Sequence, residues 1–449
     1  VGRRRHRGTA VTRAAAVGVQ DDRYVPDHGD LSYDVTHYDL QLDYSVESNR
    51  LSGRATITAI AASDLDELEL DLYRLRASKV SVDGAPAAKY TQRKNRLVVR
   101  PRSTVAAGDT FTLVVAYAGS PQPMPGLDGD AGWEELADGV IVASQPHGAP
   151  SWFPCNDRPA NKATYAIEIT APSNYRVVAN GVLESKRRRS AGTTWRHVEE
   201  APMATYLATV QIGRYDVVET DSDVPVRTVY PAGKKATSGG PFARQDEMLA
   251  TFERLFGPYP FAAYTAVITA DELDIPLEAQ GLAVFGSNFA TDEWDSERLV
   301  AHELAHQWFG NSVTLAGWRD IWLHEGFACY AEWLWSEESG REPAADHARL
   351  HWDRLAGLDQ DFLLGDPGPD LMFDDRVYKR GALLLHALRT EVGDDRFFDV
   401  LRAWTERHAH GSVSTDDFIA LAGEVCGASV GGVFDVWLRE VSLPAMPES

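Results

Sequence analysis

Residues 302–306 read His-Glu-Leu-Ala-His within the apolar-periodic run Leu299, Val300, Leu304 and Trp308, a spacing that predicts a helix. Residues four apart on a helix lie about 40° apart around the axis and one turn apart in height. His302 and His306 therefore project from one face and can share one ion. Zinc takes imidazole nitrogens at about 2.0–2.1 Å. Glu303 projects about 100° away, so it can reach a water beside the ion without ligating it. This is the chemistry of metal-assisted hydrolysis, with one Zn2+ per chain.

A catalytic zinc needs a third protein ligand and an open fourth position. Eighteen residues separate His306 from Glu325, which stands in Trp-Leu-His-Glu-Gly-Phe-Ala-Cys-Tyr. Leu323, Phe327, Tyr330, Ala331 and Leu334 give that run one apolar side, again helical. A second helix packed on the first would bring Glu325 to the ion. Alone, Glu325 reads as a solvated helix carboxylate; beside the His pair it reads as the third ligand.

Two kinds of element must hold these residues. Before residue 218, short alternating runs dominate. Tyr38, Leu40, Leu42 and Tyr44 alternate with polar residues, Glu47 to Arg50 reads as a turn, and Arg54 to Ile60 as the returning strand. Leu68 to Leu72, Leu97 to Val99, Phe111 to Tyr117, Tyr165 to Thr170 and Tyr206 to Ile212 continue the pattern. This half, 23–217, is expected to be all-β. After it come strands at Val226 to Tyr230 and Tyr264 to Thr269. Helical spacing then takes over at 243–256, 295–311, 321–339, 376–392, 394–408 and 414–425. Ser414 is a good N-cap for the last helix, and Gly427 stands past its end. The half 218–449 is expected to be a mostly helical α+β domain that opens with a small sheet.

The 449-residue chain carries a formal net charge of -22, which argues against nucleic acid or anionic membrane as the main partner. Its three cysteines, Cys155, Cys329 and Cys426, are too sparse for a disulfide framework. No run of 18 apolar residues is present to cross a membrane. Arg3, Arg4, Arg5, His6 and Arg7 precede an apolar stretch that Arg13 interrupts. This reads as a disordered basic tail over 1–22 rather than a signal peptide. A cytoplasmic location is expected, with secretion the alternative because the chain begins with Val.

These residues resemble the aminopeptidase N family of zinc metallopeptidases (gluzincins). The carrying stretches are His302 to Asn311, Trp322 to Leu334, and Val377-Tyr-Lys-Arg-Gly-Ala-Leu-Leu-Leu-His386. Ser151-Trp-Phe-Pro-Cys-Asn-Asp-Arg-Pro-Ala-Asn-Lys-Ala-Thr-Tyr165 is similar to the family's β-domain signature. The resemblance runs from about residue 30 to the end. It implies a saddle-like β domain followed by a thermolysin-like catalytic domain.

It also implies residue roles. Tyr378, on its own just an amphipathic helix residue, matches the family tyrosine that hydrogen-bonds the transition-state oxyanion. Glu278 matches the carboxylate that holds the substrate's free α-amine, and Gln145 falls beside it. The family's Gly-x-Met-Glu-Asn loop is Ile275-Pro-Leu-Glu-Ala279 here, so its Gly and Asn are replaced. That departure bears on the loop's backbone shape and on part of the substrate contact. His324 stands where Asn is common and reads as packed, not as a ligand. Larger members continue into a helical domain that roofs the cleft; this sequence stops soon after Trp437 to Pro444, which would leave the site more open or closed by another subunit. The expected activity is zinc-dependent release of N-terminal residues from peptides with a free N-terminus. An open-cleft endopeptidase and a catalytically inactive peptide-binding module are the alternatives. Oligomeric state and residue preference are not legible.

Overall fold

The computed structural model describes residues 22–220, 222–234, 240–427 and 430–446. The tail expected over 1–22 lies, except for residue 22, outside them.

The first half is all-β, as its alternation dictates. Strand Tyr33–Ser45 pairs antiparallel with Arg50–Ala61 and parallel with Ala163–Ala171, at the centre of an eight-stranded sheet. Tyr33, Val35, Tyr38, Leu40, Leu42 and Tyr44 are buried. The expected turn after Ser45 is a 3-10 turn over Val46–Ser48, closed by Asn49 in the left-handed conformation. A five-stranded and a three-stranded sheet complete this half.

The run Tyr206 to Ile212 does not form the single strand its pattern suggests. Thr205–Leu207 is a 3-10 turn and only Val210–Gly213 is strand. The physical reason is Asn180: its side chain donates to Leu207 O (2.9 Å) and accepts from Thr209 N (2.6 Å), groups a strand would have paired.

The change of character near residue 218 falls inside a strand. Tyr215–Glu219 pairs antiparallel with Val226–Pro231 and forms one edge of the second half's five-stranded sheet. That sheet continues through Tyr264–Ile268 and Leu282–Phe285 to its other edge, Leu277–Ala279.

Eight α-helices follow among the described residues: α1 Gln245–Phe256, α2 Trp294–Ala305, α3 Trp322–Glu338, α4 Ala344–Ala356, α5 Asp375–Val392, α6 Asp394–Arg407, α7 Thr415–Cys426 and α8 Gly431–Arg439. The helix expected over 295–311 ends at Ala305, and the chain turns tightly through 306–313. Asn311 N bonds His306 O, Ser312 N bonds Gln307 O, and Val313 N bonds Trp308 O. Ser414 and Asp417 form a complete capping box at the start of α7, and Gly427 closes its end with φ +61°.

One continuous apolar core runs through both halves. At the joint, the Tyr206 and Trp318 rings meet edge to face with centroids 5.1 Å apart. The three cysteines are buried and unpaired.

Candidate metal and peptide-binding site

α2 and α3 pack side by side, and their facing sides carry the three expected ligands. His302 and His306 each place Nε2 3.4 Å from Glu325 Oε2. Two donors on a tetrahedral ion at about 2.0–2.1 Å lie about 3.4 Å apart, so the trio matches the span of a zinc shell. All three residues are buried, and their ligand atoms lie within 4.8 Å of one another. His306 keeps helical backbone angles although it is the residue just past α2, so the four-residue spacing still delivers both rings to one side.

The imidazoles are held by their other nitrogens. His302 Nδ1 lies 2.8 Å from Glu332 Oε1, and His306 Nδ1 donates to Phe309 O at 3.0 Å. Each Nε2 is thereby presented to the ion. Glu332 is fixed in turn by Arg298, 3.1 Å from its second oxygen. The cluster is strongly polarised. Burial opposes charge on His302, but its hydrogen bonds to Glu325 and Glu332 prevail and raise its pKa to about 9. Burial would raise Glu325, yet His306 and His302 hold it well below the usual carboxylate range.

The remaining expected residues gather around this trio. Glu303 is buried, and its Oε2 has no hydrogen-bond partner among the described residues. Tyr378, near the start of α5, stacks its ring on His302 at a centroid distance of 6.2 Å and 19° between planes. Burial, then Glu325, pushes the Tyr378 hydroxyl well above its ordinary pKa, so it stays a donor. Glu278 lies on the edge strand Leu277–Ala279, where Glu278 pairs with Ala283. Gln145, from the β domain, donates Nε2 to Glu278 Oε1 at 2.6 Å. Glu278, Glu303 and His306 form a second group whose ligand atoms lie within 4.8 Å of one another.

Strand pairing with Ala283 holds Glu278 in place, although the family's Gly and Asn positions are Ile275 and Ala279 here. Ile275 is 67% exposed. At the Asn position, the Ala279 carbonyl accepts from Gln307 Nε2 (3.2 Å) and Asn311 Nδ2 (3.0 Å), which ties the strand to the end of α2. His324 is a packed residue and not a ligand: its Nε2 accepts from Leu315 N at 2.8 Å, and burial lowers its pKa to about 3. Glu332 and Arg298 escaped the sequence reading. The available signal was a carboxylate two turns beyond Glu325, on the same face of α3.

The fold and site have clear relatives. Residues 34–207 match the Peptidase M1 N-terminal domain and residues 242–437 the Peptidase family M1 domain. The structure superposes on an M1 zinc metallopeptidase from Deinococcus radiodurans with a TM-score of 0.87 and 33% identity, covering 95% of this chain and 99% of that one. A variant of the Deinococcus enzyme bound to a Tyr-Ser-Ala substrate gives a TM-score of 0.88 over the same shares, again at 33% identity. Among curated proteins, aminopeptidase M1-A of Oryza sativa subsp. japonica is 27% identical over 91% of this chain and 50% of its own length. Human glutamyl aminopeptidase is 26% identical over 91% of this chain and 47% of its own length. The chain spans about half the length of these curated relatives. It belongs to peptidase family M1, with the family's β-sheet N-terminal domain, thermolysin-like catalytic domain and single zinc site.

Proposed function

We propose that this chain is a zinc-dependent aminopeptidase, removing the N-terminal residue from peptides with a free α-amine. The observation that carries this reading is the placement of Glu278 and Glu303 together against His306. An ammonium held by one carboxylate leaves room for a single residue before the bond at the metal. The Deinococcus relative bound to Tyr-Ser-Ala, and a two-domain M1 variant bound to L-tryptophan, support peptide and amino-acid occupancy of such a site.

His302, His306 and Glu325 would hold the zinc, which supplies Lewis acidity and lowers the pKa of water bound to it towards about 7. Glu278 binds the α-ammonium, with Gln145 holding the carboxylate's orientation through its 2.6 Å hydrogen bond. Glu303 takes the proton of the attacking water at its unpartnered Oε2 and passes it to the leaving amine. Tyr378 donates its hydroxyl to the oxyanion that develops on the scissile carbonyl. A blocked N-terminus cannot pair with Glu278 and would collide with it.

The test is Glu278→Ala. Its kcat/KM for aminoacyl-anilides should fall on the order of 10²-fold, the cost of about 3 kcal/mol for an ammonium left without its partner. The low residual cleavage of an N-acetylated, internally quenched peptide should not fall with it. An equal loss on both substrates would rule out amine anchoring. Efficient cleavage of the acetylated peptide by the wild type would favour the endopeptidase alternative.

A further inference from the structure

The geometry points to Lys162 as a positioning residue that reaches from the β domain to the turn following α2 and sets the register between the metal ligands and the amine anchor. This inference rests on the reading of the site given above.

Lys162 precedes strand Ala163–Ala171, which lies inside the eight-stranded sheet. Its Nζ crosses the joint between the halves and donates to Asn311 O at 2.9 Å and Ser312 O at 2.8 Å, with Gly411 O at 3.5 Å. These are not arbitrary carbonyls. The amides of Asn311 and Ser312 close the last turn after α2 by bonding His306 O (2.9 Å) and Gln307 O (3.1 Å). The Asn311 and Ser312 carbonyls lie past α2, in the turn over 306–313, and Lys162 donates to both of them.

The same segment faces the substrate side. Asn311 Nδ2 donates to Ala279 O at 3.0 Å, and Ala279 follows Glu278 directly. One ammonium therefore grips a segment that touches His306 through its backbone and Glu278's strand through a side chain. A second bond across the joint, Gln145 to Glu278, depends on the same alignment of the two halves. Burial draws the Lys162 pKa down to about 7 against the opposing pull of Glu199. Replacing the ammonium with an apolar group would leave Ser312 O without a partner and Asn311 O with only the Thr314 hydroxyl at 3.2 Å.

The experiment compares zinc-loaded wild type with Lys162→Met and with Leu113→Ala, a core truncation in the same sheet away from the joint. Hydrogen exchange over residues 306–314 and zinc release into a chelator are read first; neither depends on peptide cleavage. Lys162→Met should exchange 306–314 and release zinc about tenfold faster, with α5 unchanged, while Leu113→Ala should do neither. Unchanged exchange and release in Lys162→Met, or the same acceleration in Leu113→Ala, would overturn the assignment. A second variant, Asn311→Ala, keeps the carbonyl that Lys162 grips and removes only the bond to Ala279. It should raise KM for aminoacyl-anilides about tenfold with zinc release unaltered. A KM within twofold of wild type would break the link to Glu278, and that result stands even where Lys162→Met does not fold. Failure of the wild type to cleave aminoacyl-anilides would strike the aminopeptidase reading and leave the exchange and zinc-release results intact.

Discussion

His302 meets a carboxylate at both ends of its ring, Glu332 on Nδ1 and Glu325 on Nε2. Glu332→Gln should weaken zinc binding by about 10–100-fold, measured by chelator competition, because the ring loses the carboxylate that orients it and raises its basicity. His306→Ala should lose most of its zinc on dialysis, and stoichiometric metal retained in that variant would refute the ligand assignment. Glu303→Ala should keep its zinc and lose on the order of 10²–10⁴ in turnover. His302, Glu303, His306 and Glu325 were legible because the chemistry of a metal site demands fixed types at fixed spacings. Glu332 was not, since a carboxylate on a helix is ordinary until Arg298 and His302 are seen around it. The roles expected of Tyr378, Glu278 and Gln145 came from resemblance; Gln145 and Glu278 stand 133 positions apart, and only the fold brings them together.

At the scale of elements, the meeting of α3 and α5 sets the distance between Glu325 and Tyr378. The two helices touch at Gly326 and Gly381. A Cβ built on either glycine would stand 2.8 Å from the other's Cα, closer than packed atoms allow. Glu325 precedes the first glycine, and Tyr378 lies one turn before the second. Gly381→Ala should therefore force the helices apart, costing about 1–3 kcal/mol of stability and lowering kcat more than it raises KM. Urea unfolding and steady-state kinetics read the two effects separately. Most helices were legible from their apolar period. α4 was not, because only Ala344, Ala348 and Leu355 are buried along it, too small and sparse a stripe. α8 was missed because it opens with Gly431 and Gly432, poor helix formers, and holds its place by burying Phe434, Trp437 and Leu438. The early end of α2 was hidden because Trp308 keeps the apolar period going while the backbone has already turned.

For the molecule as a whole, pH acts through neutral groups sealed in the core. His197 is 5% exposed, and burial, reinforced by Arg227, lowers its pKa from 6.5 to about 4. Between those values the unfolded chain binds the proton and the folded chain refuses it, so stability falls as pH drops from 6.5 towards 4. The loss from this one ring is about 3 kcal/mol. His197→Phe should flatten that part of the curve, seen as a smaller difference between urea midpoints at pH 7.5 and pH 4.5. The two-part architecture was legible in the switch from alternating to helical spacing. The contacts that join the parts were not, because they link residues hundreds of positions apart. Tyr24 makes the point. Its hydroxyl donates to Asp366 and accepts from Gly368 N at 2.8 Å, while Asp22 accepts from Trp318 N at 2.8 Å. A ribosome delivers residues 22–24 early and residues 366–368 only after more than 340 further additions. Residues 22–24 must therefore wait, undocked, through those additions, and they dock only once the helical part is in place to receive them.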